Sequence, residues 1–134
     1  MEDRFHLNSN PKEYEKLNAF MSYNRIEIAE INNDMVLLKH VMDKNSVNLN
    51  GTAHGGLLMT MTDIAAGTLV RKNGDNCATS SFTINFLRPS TSGTIYCRGE
   101  FIKRGKRINV MHTWCYDENN TLLCDAVVNM CFIE

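Results

Sequence analysis

The sequence predicts an α+β fold in which one curved antiparallel sheet wraps around a single long central helix. Three observations carry that expectation. Residues 57–70, Leu-Leu-Met-Thr-Met-Thr-Asp-Ile-Ala-Ala-Gly-Thr-Leu-Val, are long enough for about four helical turns and place apolar residues on nearly every face. A helix that is apolar all round is usually buried in a core. The segments around it alternate apolar and polar residues, the period of a half-buried strand. Only strand patterns follow residue 74, so the crossover helices of a doubly wound sheet are missing.

Taken in order, residues 11–22 open with Pro11 after the cap candidate Asn10, and Tyr14, Leu17, Phe20 and Met21 recur at helical spacing. This is a short amphipathic helix within an N-terminal helical extension, residues 1–23. Residues 25–31 alternate as a strand, Asn32-Asn33 turns the chain, and residues 34–42 return as the second arm of a hairpin. Residues 43–53 are polar and form a loop that feeds the central helix, which ends near Lys72-Asn73-Gly74 with Gly74 as C-cap. Residues 77–87 put Phe82, Ile84 and Phe86 on one face and Thr79, Ser81, Thr83 and Asn85 on the other. Residues 94–103 gather Ile95, Cys97, Gly99 and Phe101. Residues 107–117 gather Ile108, Val110, His112, Trp114 and Tyr116, and residues 121–133 gather Leu122, Cys124, Ala126, Val128, Met130 and Phe132.

The 134 residues read as one domain, long enough to bury a real core. A net charge of −1 offers no electrostatic argument for nucleic acid or an anionic membrane. No apolar run is long enough for a membrane span, and Met-Glu-Asp-Arg-Phe-His does not begin a secretory signal. Five cysteines stand singly, without metal-binding spacing, and read as small buried residues of a reducing, cytoplasmic compartment. His6, His40 and His112 have no partners at metal-ligand spacing and read as structural or surface residues.

The chemistry concentrates in Asn48-Leu49-Asn50-Gly51-Thr52-Ala53-His54-Gly55-Gly56 and the helix behind it. A glycine-rich helix start presents free backbone N–H groups at the positive end of the helix dipole, which favours a developing negative charge. Two turns further on, Asp63 interrupts the apolar run; an ionised carboxylate there must be paired, hydrogen-bonded or wet.

Asn48, Gly51, His54-Gly55-Gly56 and Asp63, with the later strand Thr79-Ser80-Ser81-Phe82-Thr83-Ile84-Asn85-Phe86-Leu87-Arg88-Pro89, resemble the hotdog-fold acyl-CoA thioesterases of the phenylacetate-degradation type. The resemblance runs from about residue 25 to the end. It implies a homodimer whose sheets join edge to edge, often doubled to a tetramer, with active sites at the subunit interface and no metal or cofactor. It implies that the Gly55 N–H holds the thioester carbonyl oxygen, with Asn48 nearby, and that His54 shapes the loop and serves the catalytic site as a hydrogen-bond donor. Asp63 of the other subunit would act as general base or nucleophile, and Thr79 would help hold the attacking water. Gly56, Arg88, Arg104 and Lys106 are candidates for substrate binding, the basic residues toward the coenzyme A phosphates.

Each residue also has a plainer reading: Asp63 as a salt-bridged helix residue, the glycines as loop punctuation, Asn48 as a turn residue, His54 as a loop histidine, the basic set as solvated surface. Two rival functions compete with acyl-CoA hydrolysis. A hotdog hydratase or dehydratase would need a histidine paired with an acid, and no second acid lies near His54 in sequence. A non-catalytic acyl-CoA-binding domain would not need a carboxylate on an apolar helix.

Overall fold

The computed structural model describes residues 10–133. His6 and the segment read for a secretory signal lie outside the described residues. The elements are α1 (Pro11–Leu17), α2 (Ala19–Tyr23), β1 (Glu27–Ile31), β2 (Met35–Val41), α3 (Gly55–Lys72), β3 (Cys77–Phe86), β4 (Thr94–Lys103), β5 (Ile108–Tyr116) and β6 (Leu122–Phe132). The six strands form one antiparallel sheet in the order β1-β2-β4-β5-β6-β3. Helix α3 packs across β2, β4, β5, β6 and β3, so the expected wrapping of a sheet around one helix is what forms.

Helix α3 carries the core. Leu58, Met61, Ala65, Ala66, Leu69 and Val70 are buried against inward residues of the sheet such as Val36, Leu38, Ile95, Cys97, Met111 and Val128. The helix comes close to the sheet at Gly99 of β4. A Cβ there would lie 3.1 Å from Val36 Cγ1, 3.3 Å from Thr113 Cγ2 and 3.5 Å from Ala65 Cβ. Glycine lets helix and sheet meet at that point. Gly99→Val is therefore expected to cost about 1–3 kcal/mol by overpacking. Denaturant unfolding at fixed protein concentration measures it, and an unchanged midpoint would contradict this account of the contact.

The N-terminal helix differs from its sequence reading by breaking in two. Asn18 ends α1 by donating its backbone N–H to Tyr14 O, and starts α2 by accepting the Met21 N–H on its side chain. An asparagine that satisfies both ends competes with helix continuation. Asn10 caps α1 as expected, accepting the Glu13 N–H.

Two bulges change the strand readings, and the structure decides which face of β5 turns inward. In β3 the register with β6 shifts between Thr79 and Ser81. Thr79 pairs with the buried Met130, while Phe82 pairs with the buried Val128. Strict alternation separates Thr79 from Phe82, Ile84 and Phe86; the extra residue returns it to their side, facing α3. In β6 a shift opposite Cys115 and Tyr116 brings Leu123 into the core and turns Leu122 outward beside Trp114 and Tyr116. In β5 the inward residues are Asn109, Met111, Thr113 and Cys115. The aromatic side of that strand faces away from the helix, where His112 stacks on Trp114 and bonds Asp125, and Tyr116 stacks on Tyr96. Alternation groups residues into faces but does not say which face is covered.

Four of the five cysteines are buried and all are free thiols. Burial pushes the Cys115 thiol well above its usual range and raises Cys77 as well. Both stay protonated and behave as apolar core residues.

Candidate active site

Residues 46–54 fold back on themselves ahead of α3. Val47 bridges Ala53, His54 N–H donates to Ser46 O at 2.8 Å, and Ala53 N–H donates to Ser90 O at 2.7 Å. Asn48 organises the turn. Its Oδ1 accepts from the N–H groups of Asn50 and Thr52, and its Nδ2 donates to Thr52 Oγ1 at 2.9 Å. One of the two Nδ2 hydrogens stays unspent by that bond. Gly51 supplies the turn's left-handed backbone at φ 75.

His54 is the N-cap of α3. Its Nδ1 accepts the Gly56 N–H at 2.9 Å, which places the proton of the neutral ring on Nε2. The Leu57 N–H is taken by His54 O. The Gly55 N–H has no acceptor among the described residues. The cap thus consumes the neighbouring donors and leaves one N–H, at the positive end of an 18-residue helix, open to a ligand. Gly56 is exposed at the helix start, but its N–H is already used by His54.

Asp63 projects from α3 two turns later and is half-buried, not enclosed. Its Oδ1 accepts from Thr79 Oγ1 at 2.5 Å, and no cation lies within ion-pair distance of it among the described residues. The β3 bulge is what aims Thr79 at the carboxylate. A cavity of about 270 Å³ opens beside this pair, bounded by Gly67 and Arg71 of α3 and by Tyr14 and Phe20 of the N-terminal helices. A second cavity of about 700 Å³ lies beside His54 and Gly56, and Phe20 borders both. The sequence reading missed this part played by Tyr14 and Phe20. No local pattern points to it, because the contact joins segments some fifty residues apart, as in the Tyr14 Oη to Thr68 Oγ1 bond at 3.3 Å. Arg71 was also missed, although it lies at helical spacing from Asp63.

The basic candidates stand apart from both cavities. Arg104 pairs with Asp34 at 2.7 Å, donates to Asn33 O and covers the Phe101 ring, so it ties two turns together. A role on a phosphate would require releasing Asp34. Arg88 and Lys106 are exposed and have no ion-pair partner among the described residues. Among the described residues, no group of three or more His, Cys, Asp or Glu side chains is placed to hold a metal ion, and no helix is long and apolar enough to cross a membrane.

A donor at a helix start and a carboxylate held by a hydroxyl are parts suited to acyl transfer. The comparisons agree. A curated relative from Saccharolobus solfataricus, described as a candidate esterase, is 29% identical over 107 residues, covering 76% of this chain and 69% of its own. PaaI of Escherichia coli, from the phenylacetic acid degradation operon, superposes with a TM-score of 0.88 at 20% identity, covering 93% of this chain and 91% of its own. A hypothetical thioesterase of Streptococcus pneumoniae, solved with coenzyme A, superposes with a TM-score of 0.83 at 24% identity, covering 92% and 97%. The same protein has been solved with alanine replacing a threonine or an aspartate, at 25% identity to this chain and TM-scores of 0.76 and 0.77; those structures are matched over 80% of this chain and 88% and 89% of theirs. The family model of the thioesterase superfamily matches residues 50–124, from the loop ahead of α3 into β6. With its six-stranded antiparallel sheet wrapped on one helix, this chain belongs to the thioesterase superfamily and is a thioester hydrolase of the hotdog fold.

Proposed function

We propose that the protein hydrolyses acyl-CoA thioesters as a homodimer or a tetramer of two dimers, each site combining the Gly55 N–H of one subunit with Asp63 of its partner. The observation that carries this reading is the pairing of an open N–H at the start of α3 with a Thr79-held carboxylate further along the same helix. Eight residues separate them, about 12 Å along the axis at 1.5 Å per residue. The Gly55 N–H also points out of the helix, away from Asp63. One helix therefore does not present both groups to one carbonyl, whereas two antiparallel copies do. Strand β3 is a sheet edge ten residues long and largely exposed, a surface that pairs readily with another strand. The outward face of the sheet, where Leu37, Val127 and the aromatic residues of β5 stand among the charged Arg98, Glu100 and Asp125, is the face a second dimer would cover.

In this scheme the thioester oxygen accepts from Gly55 N–H, and that bond strengthens as the oxyanion forms. Either Asp63 takes a proton from water, which attacks the carbonyl, the C–S bond breaks and the departing thiolate of coenzyme A takes up that proton to become the thiol, or Asp63 attacks the carbonyl itself, expels the thiolate and forms an anhydride that water then hydrolyses. Thr79 fixes the carboxylate through its hydroxyl. Arg88 and Lys106 are free to meet the phosphates of coenzyme A. The fixed separation in the pneumococcal variants supports the assignment: the replaced aspartate and threonine are sixteen positions apart, as Asp63 and Thr79 are here.

Asn48 supports the electrophilic side through its unspent Nδ2 hydrogen. Asn48→Ala is expected to lower kcat about tenfold and raise KM less, the worth of one hydrogen bond that tightens in the transition state. Asn48→Asp keeps the acceptor that builds the turn but lacks the donor, so its turnover stays impaired at normal stability. Full activity in Asn48→Asp would reduce Asn48 to a loop residue. The reading as a whole is tested by thiol release from a panel of acyl-CoA thioesters, with sedimentation at micromolar concentration. No turnover on any thioester, or a stable 15.2 kDa monomer that still turns over, would overturn it.

A further inference from the structure

We infer that the acyl group taken by this site carries a carboxylate at its far end, as in the mono-CoA thioester of a short dicarboxylic acid, and that Arg71 receives it. This rests on the reading of Asp63 as the reacting end of the site. Asp63, Gly67 and Arg71 follow one another at four-residue steps and share a face of α3. All three border the same cavity of about 270 Å³. Gly67 leaves the middle of that face bare. A Cβ there would sit 3.3 Å from both Arg71 Nη1 and Met130 Cε, so any larger side chain would crowd the space between Asp63 and Arg71.

The far end of the cavity is polar, which a plain alkyl chain does not need. The Arg71 guanidinium is half-buried and spends its bonds on neutral acceptors, Cys77 O at 3.0 Å, Asn76 Oδ1 at 3.3 Å and Cys77 Sγ at 3.5 Å. No carboxylate lies within ion-pair distance of it among the described residues. The Tyr14 hydroxyl, bonded to the buried Thr68 hydroxyl, borders the same space. A charged group held by neutral partners at the end of a cavity offers strong, directional bonds to an incoming anion. The distance sets the length. Arg71 leans back along the helix until Nη1 stands over Gly67, about one turn, or 6 Å, from the level of Asp63. That span suits an acid of about four to six carbons with the thioester at one end.

The test is kcat/KM on a length-matched series of CoA thioesters: glutaryl and adipyl, valeryl and hexanoyl, and 5-hydroxyvaleryl, with enzyme-free rates subtracted. The expected result is a preference for the carboxylate-ended members over both neutral kinds by about 10- to 100-fold, the worth of one charge-assisted hydrogen bond. Arg71→Met should remove that preference by lowering only the carboxylate-ended rates, and Arg71→Lys should keep part of it. Arg71 also holds the start of β3, so melting temperatures are measured alongside; if Arg71→Met does not fold, the wild-type series and Arg71→Lys decide. A wild-type preference for methyl-ended or hydroxyl-ended chains overturns the inference while leaving acyl-CoA hydrolysis intact. An equal loss on every substrate in Arg71→Met shows a structural arginine and also overturns it. No turnover on any member or any other acyl-CoA sinks the underlying reading with it.

Discussion

Asp63→Asn is expected to lower kcat for acyl-CoA hydrolysis by about 10²–10⁴, the usual worth of a positioned acid or base, while leaving the fold as stable as before or more so. The structure makes this substitution a clean one. Asparagine keeps an Oδ1 that can accept the Thr79 hydroxyl, so the bond that orients the side chain survives and only the charge is lost. No cation pairs with Asp63 among the described residues, so no ion pair is broken. An amide on a half-buried helix face is also cheaper to desolvate than a carboxylate. The measurement is kcat and thermal unfolding on the same preparation. Near-normal turnover with a lower melting temperature would mark Asp63 as a structural residue and remove the proposed base.

Gly55→Pro is expected to reduce kcat by about 10²–10³, the cost of one oxyanion donor, with the helix intact. Proline removes the N–H, and Gly55 is the first residue of α3, where proline is best tolerated. The preceding residue, His54, already has φ −63 and ψ 135, the extended conformation that a following proline requires. Gly55→Ala is the control. Its Cβ would meet the Phe86 ring at an ordinary 3.6 Å, and its N–H remains, so activity should stay within a few-fold of wild type. Equal losses in both variants would point to crowding at Phe86, not to a lost donor. The two predictions combine in one experiment. Mixing Gly55→Pro subunits with Asp63→Asn subunits should rebuild one complete site per mixed dimer and recover a fraction of wild-type activity. Mixed dimers that form without recovery would place both groups in one chain's site.

The elements themselves were legible because their signals are local. The apolar run through Val70, the alternation of β4, and Asn10 with Pro11 at the start of α1 each depend on neighbours a few residues away. So were the chemical parts: a glycine-rich helix start, and one acid on an otherwise apolar helix. The break at Asn18 was missed because tyrosine, leucine and phenylalanine keep helical spacing across it, and nothing in that spacing shows one asparagine capping both helices.

By itself the sequence determined the fold class, the order of elements, and which residue types stand at the start and middle of the central helix. These follow from periodicity and capping, which act within a turn or a strand. Tertiary structure decided where those residues sit and what they touch. It supplied the bulge that turns Thr79 toward Asp63 and the inward side of β5. It also committed Arg104 to Asp34 and brought Tyr14 and Phe20 to the cavity beside Asp63. Each of these joins segments distant along the chain, and a pattern of local period carries no information about which distant segment arrives to cover a face, accept a hydrogen bond or neutralise a charge.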